Sequence, residues 1–138
     1  METFRVLEHT ADVGFEAFGW SLDEVYANAA RALFYLIVEL DQVGPAERIS
    51  VTVQGTDREA LLVNWLSELL FLHDSEGWLF REFKILRIED TSLNAVAIGE
   101  RFHASRHHLK MLVKAITYHQ LALGKTSEGW RAQVYVDI

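Results

Sequence analysis

The chain is predicted to be an α/β protein of the α+β two-layer kind, in which two helices cover a mainly antiparallel sheet. Two stretches carry apolar residues at helical spacing, and the other patterned stretches alternate as half-buried strands do. The order runs strand, strand, helix, strand, helix, then strands. The 138 residues, 50% apolar and 12% aromatic, suit one domain spanning 1–138 with a substantial core.

Phe4 to Glu8 is the first expected strand, and the alternating Gly14-Phe15-Glu16-Ala17-Phe18-Gly19 is the second. The loop between them holds His9-Thr10-Ala11-Asp12. Ser21 with Glu24 forms a capping-box pattern ahead of Leu22, Val25, Tyr26, Ala29, Ala30, Leu33, Phe34 and Ile37, a helix that ends before Gly44-Pro45. Ile49, Val51 and Val53 alternate with polar residues as a strand. Thr56 and Glu59 repeat the capping box, and Leu61, Leu62, Trp65, Leu66, Leu69 and Leu70 mark a second helix running to about His73. Leu79 to Glu89 and Leu93 to Phe102 follow as a hairpin turned by Asp90-Thr91-Ser92, with a change of phase between Ile85 and Leu86 that suggests a bulge. Lys114 to Leu123 and Trp130 to Asp137 form a last hairpin around the turn-rich residues 124–129.

The absence of cysteine excludes disulfides, thiolate nucleophiles, iron–sulfur clusters and cysteine-based zinc sites. A net charge of −7 repels phosphates, so direct binding to a nucleic-acid backbone is not expected. No basic segment leads into an apolar run, and no stretch approaches the roughly 18 apolar residues that span a bilayer. The expectation is a soluble, cytoplasmic protein with no membrane association.

Asp137 and Ile138 place two oxygen donors within one residue of each other at the end of a well-patterned strand. Hard cations such as calcium and magnesium take such oxygens. Asp12, two residues before Gly14, commonly would cap a turn amide. Its functional alternative is to face the end of the last strand and join Asp137 and the Ile138 carboxylate in an oxygen cluster. Three carboxylates at close range repel, and a divalent ion neutralises them. The histidines at 9, 73, 103, 107, 108 and 119 lack the helical spacing of a zinc protease. His9 reads as a hydrogen-bond partner of Asp12, His107-His108 as exposed loop, and His119 as structural. Arg101, Arg106, Lys110 and Lys114 read as a solvated basic face. Trp65, Phe71, Trp78, Phe80 and Phe83 read as core. No nucleophile elbow or phosphate-binding glycine loop occurs.

Four collinear strings, Glu8-His9-Thr10-Ala11-Asp12-Val13-Gly14, Glu68-Leu69-Leu70-Phe71-Leu72-His73-Asp74, Val113-Lys114-Ala115-Ile116-Thr117-Tyr118-His119 and Val136-Asp137-Ile138, together resemble the archease family over essentially the whole chain. The resemblance implies no catalytic residue of its own. It implies instead a protein cofactor of the tRNA-splicing RNA ligase, the manganese- and GTP-dependent enzyme that seals cyclic-phosphate or 3′-phosphate ends to 5′-hydroxyl ends. The expected action is to promote guanylylation of the ligase histidine and multiple turnover. It also implies a calcium-like site at Asp12, Asp137 and Ile138, the last through its terminal or main-chain oxygen, with magnesium or manganese as alternative ions. Residues 107–112 lack the proline and glutamates associated with that stretch of the family. Two other classes stay open: a metal-dependent hydrolase using the same carboxylates, and a chaperone-like module recognising proteins through exposed apolar surface.

Overall fold

The computed structural model describes residues 1–8 and 12–138. The chain runs β1 (Phe4–Glu8), β2 (Val13–Gly19), α1 (Leu22–Ile37), β3 (Glu47–Gln54), α2 (Arg58–Glu76), β4 (Trp78–Ile88), β5 (Ser92–Arg101), β6 (Ala115–Ile116), β7 (Ala122–Thr126) and β8 (Gly129–Asp137). All strand pairs are antiparallel, and the two predicted helices are present. The strands are divided between two sheets, where the sequence suggested one. A five-stranded sheet has the order β1-β2-β8-β6, with β7 also on β8, and a three-stranded sheet has the order β3-β5-β4.

The helices bridge the sheets. α1 packs on β2 of the larger sheet and β4 of the smaller one, and α2 contacts β3 as well as β6. A helix gripped from both sides must be apolar nearly all round, and in α1 Val25, Tyr26, Ala29, Ala30, Ala32, Leu33, Phe34, Leu36 and Ile37 are all buried. Trp65 of α2 is fully buried, and its indole N–H donates to the Tyr26 carbonyl at 3.0 Å. The Tyr26 hydroxyl donates in return to the Arg58 carbonyl. Two otherwise costly buried polar groups are thereby satisfied, and they lock the helices together.

Helix ends follow the capping logic with different residues. Asp57, not Thr56, is the N-cap of α2 and accepts from the Ala60 amide at 2.8 Å. Ser21 makes no side-chain cap, whereas the Glu24 carboxylate reaches back to the Trp20 amide at 2.7 Å. α2 continues one turn past the expected His73, to Gly77 in the left-handed conformation with φ 76°.

β4 carries two irregularities in its register with β5, at Phe80/Glu82 and at Ile85/Arg87. The second is the phase change legible in the sequence. The first lies between Phe80 and Phe83, and its extra residue lets both stay buried. The predicted strand from Lys114 to Leu123 is interrupted: only Ala115–Ile116 pair with β8, and pairing resumes at Ala122 after Gln120 takes a positive φ of 49°. β7 then extends to Thr126, which narrows the predicted turn. Among the described residues no helix is long and apolar enough to cross a membrane.

Candidate functional site

β2 and β8 pair with Val13 opposite Val136 and Gly14 opposite Tyr135. Run one residue further, this register sets Asp12 across from Asp137, and strand alternation puts both side chains on the face that carries Gly14 and Tyr135. Phe15, Ala17, Val134 and Val136 lie in the core, so the acidic pair is on the outer face of the larger sheet. Asp137 is exposed, and Ile138 beyond it is 46% exposed. Asp12 is half-buried, with one carboxylate oxygen shielded from solvent.

The end of β8 is held on its other side by β6. The Lys114 amide donates to the Asp137 carbonyl at 2.7 Å, and both the amide and the hydroxyl of Thr117 donate to the Tyr135 carbonyl at 3.0 and 2.9 Å. The strand terminus is therefore ordered, as its apolar patterning predicted. Gly14 leaves room for the aromatic ring opposite it, since a Cβ there would come within 2.7 Å of Tyr135. The His119 ring packs edge-on against the same tyrosine at 5.7 Å between centroids and is otherwise exposed. His9, Thr10 and Ala11 lie outside the described residues, and with them the expected bond between His9 and Asp12.

Two of the three expected ligands are thus brought together, and Ile138 follows directly on the second. Among the described residues no three His, Asp or Glu side chains converge, so the donor set would comprise two carboxylates and a main-chain or terminal oxygen of Ile138. Oxygen donors at a strand end held by both neighbouring strands are of the kind a hard cation takes.

A second polar cluster was not legible in the sequence. Glu100, only 7% exposed, accepts from the Gly44 amide and from His107 Nε2, both at 2.8 Å, and from Arg106 at 3.0 Å. The His103 amide donates to His107 Nδ1 at 2.8 Å, so the ring proton sits on Nε2 and points at Glu100. The Gly44 bond, with those from His107 and Arg106, holds the Glu100 carboxyl below the usual carboxylate range despite its burial. His107 is therefore a buried anchor and not exposed loop, because the carboxylate beneath it supplies a partner that no local spacing announces. His108 is exposed as expected.

The cluster pins the segment 102–114, which is also tied to the end of α1 by Lys110 N donating to Ile37 O at 2.8 Å. That segment delivers Lys114 to Asp137. The remaining basic residues have internal partners: Arg101 lies over Trp78 at 4.8 Å, and Lys110 over Tyr35 at 4.0 Å. Of the aromatics expected in the core, Trp65, Trp78, Phe80 and Phe83 are buried. Phe71 is not, being 56% exposed on the outer side of α2.

Comparison with known proteins agrees with this architecture. Residues 4–138 match the model of the archease protein family. The chain is 42% identical over 139 residues to the protein archease of Methanosarcina acetivorans, covering 98% of this chain and 95% of that one. It is 43% identical over 143 residues to the protein archease of Pyrococcus abyssi, covering all of both. The solution structure of Methanobacterium thermoautotrophicum protein 1598 superposes with a TM-score of 0.88 at 37% identity and full coverage of both chains. A Thermotoga maritima structure named an archease, possible chaperone, shares the fold with a TM-score of 0.61 at 21% identity, over 96% of this chain and 94% of that one. The chain belongs to the archease protein family.

Proposed function

We propose that this protein is an accessory factor of the GTP-dependent tRNA-splicing RNA ligase, promoting guanylylation of the ligase histidine and repeated turnover, and that Asp12, Asp137 and Ile138 hold a divalent ion. Family membership supports the first part. The observation that supports the second is the β2–β8 register, whose last pair, Val13 opposite Val136, leaves Asp12 and Asp137 as the next residue of each chain at a strand end that β6 also holds. Calcium is the leading ion and magnesium or manganese the alternatives, all of them takers of oxygen ligands. Bound there, the ion would neutralise the paired carboxylates. The chain's net charge of −7 favours a protein partner over direct contact with RNA, and the setting would be cytoplasmic.

The test mixes ligase, GTP and manganese with wild-type protein or Asp137→Ala and follows guanylylation with time. Wild type should accelerate it and the variant should not, while calcium affinity read by calorimetry should fall about tenfold or more, no less than losing an outer-shell partner costs. Equal stimulation by both proteins would remove the site from the function. Suppression of aggregation of unrelated proteins, with no effect on the ligase, would favour the chaperone reading that the Thermotoga maritima name carries.

A further inference from the structure

The solvent-facing side of α2 carries Asn64, Ser67, Glu68, Phe71, Asp74 and Ser75, and Phe71 is the large apolar residue among them. Folding gives no reason for it. The core face of the helix is already filled by Leu61, Leu62, Trp65, Leu66, Leu69 and Leu70, and phenylalanine is a poorer helix former than alanine, leucine or glutamate.

Phe71 stands between two open depressions. One, of about 460 Å³, runs along the last residues of β3 and includes Gln54, Asn64 and Glu68. The other, of about 250 Å³, lies between α2 and β6 and includes Leu70, Asp74, Lys114 and Ile116. Phe71 lines both, so it forms the ridge between them. The second depression ends at β6, which pairs with β8 at Asp137.

The charge of this surface is one-sided. Glu68 and Asp74 lie three residues before and after Phe71 and so flank it on the same face. Among the described residues that line the two depressions, Lys114 is the one cation. An exposed aromatic ringed by carboxylates complements a cationic protein surface with an apolar hollow. A protein that binds RNA and GTP carries cationic surface to meet their phosphates, whereas RNA itself would be repelled.

We propose that the Phe71 ridge of α2, with Glu68 and Asp74 beside it, is the docking surface for a basic face of the partner ligase. This rests on the activator reading above. Phe71 supplies the anchor, and the carboxylates steer the encounter and fix its orientation.

The experiment titrates ligase with wild-type protein, Phe71→Ala, the double variant Glu68→Lys/Asp74→Lys, and Leu86→Ser. Leu86 is a comparably exposed apolar residue, 67% accessible, on β4 of the smaller sheet. Guanylylation rate is read against concentration at low and raised salt. Phe71→Ala should raise the half-saturating concentration about tenfold, as loss of an interface anchor does, with the plateau rate unchanged. The double variant should raise it too and flatten its salt dependence, and Leu86→Ser should behave as wild type. Thermal melting should be unaffected by Phe71→Ala, since the ring is outside the core. Unchanged half-saturation for Phe71→Ala overturns the docking surface and leaves the activator reading standing, because wild type still stimulates. A wild type without effect on the ligase overturns both.

Discussion

At the scale of single residues, Glu100 shows how one buried charge organises a loop. Three donors from two segments meet on its carboxylate, and charge-assisted bonds of this kind are the strong ones. Glu100→Ala would leave the Gly44 amide, His107 and Arg106 without their acceptor, and is expected to cost about 3 kcal/mol, read as a lower urea midpoint. The pH dependence has a definite sign. The folded carboxyl lies below its ordinary value of 4.5, so its contribution is complete above that value and is lost as pH falls through the lower folded one. Glu100→Gln should therefore flatten the acid limb of a stability profile and leave its neutral-pH slope unchanged. Composition and spacing could not reveal this cluster, because Gly44 and Glu100 are 56 residues apart. Phe71 is the converse case: its helical phase was readable, and its exposure was legible only once the partner surfaces of α2 were known.

Elements were readable where the pattern is local. Both helices, the alternation in β3 and β5, and the bulge after Ile85 follow from side-chain periods within one segment. What escaped was the choice among nearby caps and the break in the strand after Lys114. Thr56 and Asp57 are both competent N-caps by type, and only the backbone geometry selects Asp57. Asp57→Ala should accordingly cost about 1 kcal/mol, and Thr56→Ala close to nothing, by chemical denaturation of the two variants. An equal loss from both would mean that Thr56 shares the cap.

For the whole molecule the decisive fact is that α1 and α2 each touch both sheets. Neither sheet can bury its inner face without the helices, so the two should unfold as one unit. Tryptophan fluorescence makes this measurable: Trp130 lies near the start of β8 in the larger sheet and Trp78 opens β4 of the smaller one. Two proteins retaining only one or the other, the remaining tryptophans replaced by phenylalanine, should each melt with coincident fluorescence and circular-dichroism transitions. Separate transitions in either protein would show that its sheet unfolds independently.

The α+β class, the two helices, the succession of elements along the chain and the presence of Asp137 at the end of a patterned strand were determined by the sequence alone, because each depends on residue type and short-range period. The partition of strands into two sheets, the register that runs β2 and β8 together as far as Val13 and Val136, the Glu100 cluster and the exposure of Phe71 were decided only by tertiary structure. Each of these joins residues distant along the chain or depends on what packs against an element. Periodicity says which face of an element is apolar, and only the closed fold says what that face meets.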